Sequence, residues 1–481
     1  MGGRAFVVNV VELRQVEPGT TALASEQSIK AVRSNSIFSN LASRWFVAGL
    51  LASALVISSW IWIKDPLFAR ALAIAGICLV LWLTEVVPPY VPTLLLWAIT
   101  PLLLSGYGEQ FQLARVLGWS ANPVLALFLG GFALSVAASR HGIDNLIARI
   151  AVRLSGGHRL GLVALVIAAT ATLSMWMSNI AAAAMMLVAL HPLFVGTPKN
   201  NRFRRATLMG IALGANFGGI ATPIGTGPNA IAIAAVSNGV RVTFLEWMVF
   251  ALPLAVGLMI AGTLLLTARF HLRGSTELPG IPVAAPDRRG QLVMLVFFGT
   301  VVAWLTEPIH GTSSAIVALI ATAVLFGSGL LHREDIKRID WSTLGLIAGG
   351  IGLGTLLDQA GLSKFAGAAV PWQEIPHVVR LFMLCFTAAF LASLMSNTAS
   401  VTMLIPLAAG IDPAPSTAIL IAIAASFGIP FVISTPPNAM IYGEGGITFS
   451  DLAVSGLILM ILGCVLVSTT GPFVLKMVGI P

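Results

Sequence analysis

The sequence predicts an all-α polytopic membrane protein with about eleven spanning helices and two re-entrant hairpins, arranged as two inverted halves. Three observations carry this prediction. Apolar residues make up 57% of the 481-residue chain and charged ones only 10%, with a mean hydropathy of +0.93, whereas a soluble domain is about 25% charged. The apolar residues fall into blocks of roughly 20, the length a helix needs to cross a bilayer. Four landmarks from the first half also return, in the same order, in the second.

In chain order, residues 1–44 are polar and Ser-rich with scattered Arg and Lys, and their apolar run at 7–11 is too short for a signal-peptide core. They are expected to form a cytosolic tail. A first span is expected at 45–63, then a first repeat over 64–290 and a second over 291–481. Spans are read at 68–86, 89–106, 121–139, 206–236 and 246–268, then at 291–309, 311–330, 342–360, 415–446 and 452–476.

The blocks 160–192 and 381–410 are read as hairpins that enter the membrane and return. Arg140, Arg149, Arg153 and Arg159 precede the first block, and Lys199, Arg202, Arg204 and Arg205 follow it. A single crossing would place one cluster outside, against the positive-inside rule. Two complete spans would also keep both clusters inside, but some 33 residues is short for that. The polar middle, at 174–179, suits a tip buried in protein. With this choice most of the 27 Lys and Arg face the cytosol, the amino terminus is inside and the carboxyl terminus outside.

The formal charge of +8 does not indicate a nucleic-acid partner, because the basic residues sit in short loops between apolar blocks. Cys78, Cys385 and Cys464 lie in apolar stretches without paired spacing, so no disulfide framework or metal knuckle follows.

The repeat is the strongest signal. Trp82-Leu83-Thr84-Glu85 returns as Trp304-Leu305-Thr306-Glu307. Gly130-Gly131 with Gly142 returns as Gly349-Gly350 with Gly361. Met177-Ser178-Asn179 returns as Met395-Ser396-Asn397, and Pro228-Asn229-Ala230 as Pro437-Asn438-Ala439. Five spans separate corresponding landmarks, and an odd number inverts the second copy. Inverted repeats with broken helices are the architecture of secondary transporters, which bind substrate near the midplane where the repeats meet.

Each repeat carries two polar spots in apolar surroundings. The hairpins supply Ser174, Ser178 and Asn179, then Ser396, Asn397 and Thr398. The helices at 206–236 and 415–446 are interrupted at Thr222-Pro223-Ile224-Gly225-Thr226-Gly227-Pro228-Asn229 and at Ser434-Thr435-Pro436-Pro437-Asn438. Pro and Gly at that density free backbone groups from the helical ladder. Freed N–H groups attract an anion and freed carbonyls can ligate a cation. Isolated Ser or Asn in membrane helices usually bonds a neighbouring helix, which is the reading for Ser455 and Thr469, but it explains poorly why these elements occur twice at matched positions. Gly210, Gly214 and Gly218, spaced four apart, are read as a close-packing face, and the glycines of 349–354 likewise.

None of Asp, Glu, Lys, Arg or His falls in a hairpin tip or a helix break. A proton relay would want one, so coupling to a monovalent cation held by neutral oxygens fits better. Metalloprotease, nucleophile-elbow and phosphate-cradling motifs do not occur, which argues against an intramembrane enzyme. Paired hairpins suit alternating access better than the continuous pore of a channel.

These residues resemble the divalent anion:sodium symporter family, carriers of dicarboxylates, citrate and sulfate, over roughly residues 68–476. The resemblance rests on Met-Ser-Asn-Ile-Ala and Met-Ser-Asn-Thr-Ala at the hairpins and on Gly-Gly-Ile-Ala-Thr-Pro-Ile-Gly-Thr-Gly-Pro-Asn with Ser-Thr-Pro-Pro-Asn-Ala at the breaks. Trp-Leu-Thr-Glu and Phe-Leu-Gly-Gly-Phe add to it. It implies a homodimer working by an elevator motion, with sodium as the coupling ion and no other cofactor. One sodium would be held by Ser174, Ser178, Asn179 and the Gly225 carbonyl, and the second around Met395, Asn397 and Ser434. The anion would contact Asn179, Asn397, Thr398, Thr435 and Pro436, with Ser178, Ser396 and Thr226 beside it.

Three positions depart from the pattern. Ile180 replaces the Thr of the first Ser-Asn-Thr, Gly227 replaces the first Pro of Pro-Pro-Asn, and Ala392, the counterpart of Ser174, brings no hydroxyl. The expected function is import of a small di- or polyvalent anion coupled to sodium, with a sodium-independent anion exchanger on the same fold as the alternative.

Overall fold

The computed structural model describes residues 45–61, 63–237, 239–276, 285–368 and 370–480. The tail expected at 1–44 lies outside them. After α1 (Trp45–Ile61) the first half runs α2 (Pro66–Thr84), α3 (Val91–Leu104), α4 (Leu113–Trp119), α5 (Pro123–Arg140), α6 (Ile143–Leu154), α7 (Arg159–Ser174), α8 (Asn179–Phe194), α9 (Arg202–Gly218), α10 (Gly227–Val236) and α11 (Phe244–Phe270). The second half runs α12 (Arg288–Leu305), α13 (Glu307–His310), α14 (Ser314–Gly327), α15 (Trp341–Gln359), α16 (Leu362–Ala368), α17 (His377–Leu394), α18 (Asn397–Ile411), α19 (Pro415–Ala425), α20 (Pro436–Gly443) and α21 (Phe449–Met477).

The helices start where the sequence supplies caps. Asp65 accepts from the Leu67 N–H ahead of Pro66, and Asn122 accepts from the Val124 N–H ahead of Pro123. The last long helix of each half opens on a capping box, Thr243 with Glu246 and Thr448 with Asp451. Among the described residues, six helices are long and apolar enough to span a bilayer, and eight more are apolar but shorter.

The duplication is visible element by element. The series α2–α3–α5–α6–α7–α8–α9–α10–α11 returns as α12–α14–α15–α16–α17–α18–α19–α20–α21. Trp82 donates from its indole to Pro89 O, and its counterpart Trp304 to Ser314 O, closing the same turn in both halves. The halves interlock reciprocally. Helix α3 packs on α15 while α14 packs on α5, and α10 packs on α18 and α19 while α20 packs on α8 and α9.

Both blocks expected as hairpins fold as two helices joined by a short turn, α7 with α8 and α17 with α18. Helices α7 and α8 have 16 residues each, about 24 Å at the helical rise against a hydrocarbon core of roughly 30 Å, whereas α17, with 18, is one of the six helices long and apolar enough to span. Both expected interruptions are present, at the turns between α9 and α10 and between α19 and α20.

Small residues decide how closely the helices approach. A methyl at Gly214 would lie 2.5 Å from Ile167 O, and one at Gly218 would lie 2.4 Å from Ala171 O, so the α9 glycines do form a packing face against α7. Gly349 sits against Thr93 and Trp82, and Gly350 against Thr402 and Ile231. Where the first hairpin turns, Trp176 stacks on Phe244 and Trp304, which fixes that tip against α11 and α12.

Three helices lie outside the spans expected from the sequence, α4, α6 and α16, where charged and small residues interrupt the apolar pattern.

Candidate functional site

The first hairpin turns at 175–178, between the end of α7 and the start of α8. Ser178 is the N-cap of α8, its Oγ accepting from the Ala181 N–H at 3.3 Å. Ser174 Oγ lies 2.7 Å from Asn179 Oδ1 and 2.6 Å from Ala215 O. One hydroxyl proton faces two acceptors there, so it can turn to Ala215 O and leave Asn179 Oδ1 available to a cation. A methyl at Gly219 would lie 2.7 Å from Asn179 Oδ1 and 3.0 Å from Gly225 O, so these two oxygens converge on the Gly219 backbone. Thr222 donates to Met175 O, tying the break in the long helix to the hairpin turn. Of the first cation set, the structure therefore brings Ser174, Asn179 and Gly225 together, with Ser178 capping the helix alongside.

The second hairpin repeats the plan with changes. Ser396 caps α18 and accepts from the Ala399 N–H at 3.1 Å. Met395 closes α17 in extended backbone. Ser434 Oγ accepts from the Phe431 N–H and donates to Ser393 O, each at 3.0 Å, so it reaches the hairpin through Ser393 rather than through Met395 or Asn397. Ala392 is fully buried and brings no hydroxyl, and that of Ser393 is spent on Ala389 O. Asn397 Oδ1 is buried and has no hydrogen-bond partner among the described residues, a group that costs free energy until something binds it.

The halves meet at these tips. Thr398, on the second hairpin, lies against Gly227 at the start of α10. Thr435 is the N-cap of α20 and accepts from the Asn438 N–H, whereas Thr226, at the start of α10, makes no side-chain cap bond. Pro436 opens α20 and is exposed. Ile180 is 49% exposed, an apolar side chain at the position where the other hairpin has the Thr398 hydroxyl.

The Pro-Asn-Ala asparagines turn out to close the broken helices. Asn229 Nδ2 donates to Gly219 O at 3.0 Å and Thr222 O at 2.8 Å, and Asn438 Nδ2 to Ile429 O at 2.8 Å and Phe431 O at 2.9 Å. They bind the carbonyls that the interruption strands. Asn216, which the sequence reading passed over, lies just before the first break and is 1% exposed. Its Nδ2 donates across the repeat interface to Thr435 Oγ1 at 3.2 Å and Asn438 Oδ1 at 3.4 Å. A polar residue in an apolar helix two residues before a Gly-Gly break was the available signal.

Among the described residues no group of three or more His, Cys, Asp or Glu could hold a metal. The tips and breaks present only neutral oxygens and N–H groups, with the starts of α8, α10, α18 and α20 grouped where the halves interlock. A cleft of about 340 Å³ lies further along α18, between α10 and α15, lined by Ile231, Gly350, Thr355 and Thr402.

The chain is similar to proteins of known kind. A family model described as citrate transporter matches residues 79–419. An uncharacterized transporter of Haemophilus influenzae is 30% identical, covering 85% of this chain and 92% of that protein. The inorganic phosphate transporter PHO87 of Saccharomyces cerevisiae is 27% identical over 78% of this chain, which spans 43% of it. The sodium-dependent dicarboxylate transporter SdcS of Staphylococcus saprophyticus is 27% identical, covering 80% of this chain and 82% of that protein. In fold, the chain is similar to the Alcanivorax borkumensis YdaH transporter, with a TM-score of 0.55 at 15% identity, over 80% of this chain and 99% of that one. The chain is thus a multi-pass membrane transporter, not an enzyme, and it belongs to the citrate transporter family, in the divalent anion:sodium symporter group that its hairpin and helix-break motifs resemble.

Proposed function

We propose that the chain is a secondary carrier that imports a small di- or polyvalent anion, a dicarboxylate, citrate or sulfate, together with sodium. The observation that carries this reading is the meeting of two neutral hairpin tips with two broken helices. Asn179 Oδ1, Ser174 Oγ and Gly225 O converge in one half, and in the other Asn397 Oδ1 lies buried with no partner among the described residues.

In this account one sodium is held by Ser174, Ser178, Asn179 and the Gly225 carbonyl. The second is held around Met395, Asn397 and Ser434. The anion sits between them, against Asn179, Asn397, Thr398, Thr435 and Pro436, with Ser178, Ser396 and Thr226 at its edge. The helix starts grouped there favour negative charge, and the adjacent cations lower the cost of holding it away from water. Coupling follows as linkage: whatever affinity sodium adds to the anion, the anion returns to sodium. Transport would carry this site across by an elevator motion in a homodimer, with the amino terminus cytoplasmic and the carboxyl terminus outside.

A sodium-independent exchanger is the second reading, and Ala392 favours it, since it withholds a hydroxyl from the second cation site. Reconstitution separates the two. Uptake of labelled succinate, citrate, sulfate and phosphate into proteoliposomes is expected to require an inward sodium gradient. Equal uptake in choline, driven only by anion loaded inside, would establish the exchanger.

A further inference from the structure

Thr435 stands at the N-terminus of α20, and two donors point at its one side-chain oxygen. The Asn438 N–H approaches Thr435 Oγ1 at 3.4 Å, and Asn216 Nδ2 at 3.2 Å. The orientation of each amide follows from its neighbours. Asn438 spends Nδ2 on the carbonyls of Ile429 and Phe431, so its Oδ1 is the atom it turns toward Asn216. Asn216 must then face that oxygen with Nδ2, because two carbonyl oxygens would repel, and the same NH₂ group carries the second hydrogen to Thr435.

A hydroxyl has two lone pairs and one proton. With both lone pairs of Thr435 Oγ1 receiving N–H groups, the proton is left to point away from them. We propose that Asn216 is a positioning residue that holds the Thr435 hydroxyl as a hydrogen-bond donor to the bound anion. The proposal rests on the reading of Thr435 as an anion contact and adds to it the group that sets its polarity.

The other half supplies a built-in control. Ser426-Phe427-Gly428 stands where the first half has Asn216-Phe217-Gly218, but the short Ser426 side chain finds no partner among the described residues, and Thr226 receives no corresponding donor. The hydroxyl that receives two donors is that of Thr435, in the second half, and Asn216 is how the first half acts on it.

The test is a double-mutant cycle on binding. Dissociation constants are measured in saturating sodium, on purified protein, for succinate, citrate, sulfate and phosphate, and the tightest of these serves as probe. Asn216→Leu, of similar size but without donors, should weaken binding about tenfold. Thr435→Val should weaken it at least as much, and Thr226→Val clearly less. In the Thr435→Val background Asn216→Leu should add almost nothing.

An equal loss in both backgrounds would overturn the proposal while leaving Thr435 as a contact. Unchanged binding in Thr435→Val, or no binding of any of the four anions to the unmodified protein, would overturn the site reading and the proposal with it. If Asn216→Leu is not monodisperse on gel filtration, Asn216→Ala takes its place in the cycle. A water able to donate in the vacated space should then make the loss smaller, and it should still vanish beside Thr435→Val.

Discussion

Thr398, on the tip of the second hairpin, lies so close to Gly227, at the start of α10 in the first half, that a methyl on that glycine would stand 2.5 Å from Thr398 Oγ1. The two repeats therefore touch through a hydroxyl and a bare backbone. The glycine that departs from the Pro-Pro-Asn pattern is what admits that hydroxyl. Gly227→Ala should push Thr398 aside, at an overpacking cost of about 1 kcal/mol or more, and weaken anion binding several-fold with little change in Tm. Isothermal titration beside a thermal unfolding scan checks this; undiminished affinity would mean that Thr398 does not touch the anion.

The asparagines of the site differ in what they hold: Asn216 bridges the halves, Asn229 and Asn438 close the broken helices, and Asn179 and Asn397 stand at the hairpin tips. Asn229 and Asn438 each hold two carbonyls of an interrupted helix, so Asn229→Ala and Asn438→Ala should each cost about 1–3 kcal/mol of stability, read as a lowered Tm. Asn397 stands at a hairpin tip and, like Asn216 and Asn229, leaves its Oδ1 without a partner among the described residues. Asn397→Ala, and likewise Asn179→Ala at the other tip, should abolish uptake in proteoliposomes while leaving the thermal transition almost in place. Full transport by either variant would refute the assignment of the tips.

Ile180 occupies the position where the second hairpin has Thr398. Restoring the hydroxyl by Ile180→Thr should favour anions that need more hydrogen bonds. One added buried bond is worth about 1 kcal/mol, or roughly five-fold in affinity. Competition of succinate against sulfate measures the shift, and an unaltered ratio would remove Ile180 as a determinant of selectivity.

Asp335 joins the halves outside the membrane by accepting from Arg140 at the end of α5. Burial opposes its charge, but the His332 N–H and the Arg140 guanidinium outweigh that and hold its carboxyl below the ordinary value of 3.8. A lowered folded-state value gives stability that is present above the unfolded value and lost as the pH falls through the folded one. Asp335→Asn should therefore lower Tm at pH 7, and the gap to the unmodified protein should close below about pH 4. A gap that stayed constant from pH 7 to pH 3 would contradict the pairing.

Much of this architecture was legible in the chain because a membrane makes apolar length and loop charge nearly sufficient to place helices. The duplication could be read from Trp-Leu-Thr-Glu, Ser-Asn and Pro-Asn-Ala alone. Which atoms meet was not legible. Pro-Asn-Ala marked the repeat, yet its asparagine binds the carbonyls of its own broken helix, a role set by three-dimensional return of the chain. Asn216 carried a signal, one polar residue before the break, but its partners Thr435 and Asn438 lie over 200 residues away. Helix α6 escaped notice because Arg149 and Arg153 interrupt any apolar run, although its other face is buried.

If neutral oxygens at the two hairpin tips bind cations that in turn hold the anion, sodium must set the anion affinity. The decisive experiment titrates the affinity for succinate, citrate, sulfate and phosphate against sodium, with choline keeping ionic strength constant. Affinity for the bound anion should rise steadily with sodium, and the rise should be lost in Asn179→Ala and Asn397→Ala. The same affinity in sodium and in choline would contradict it.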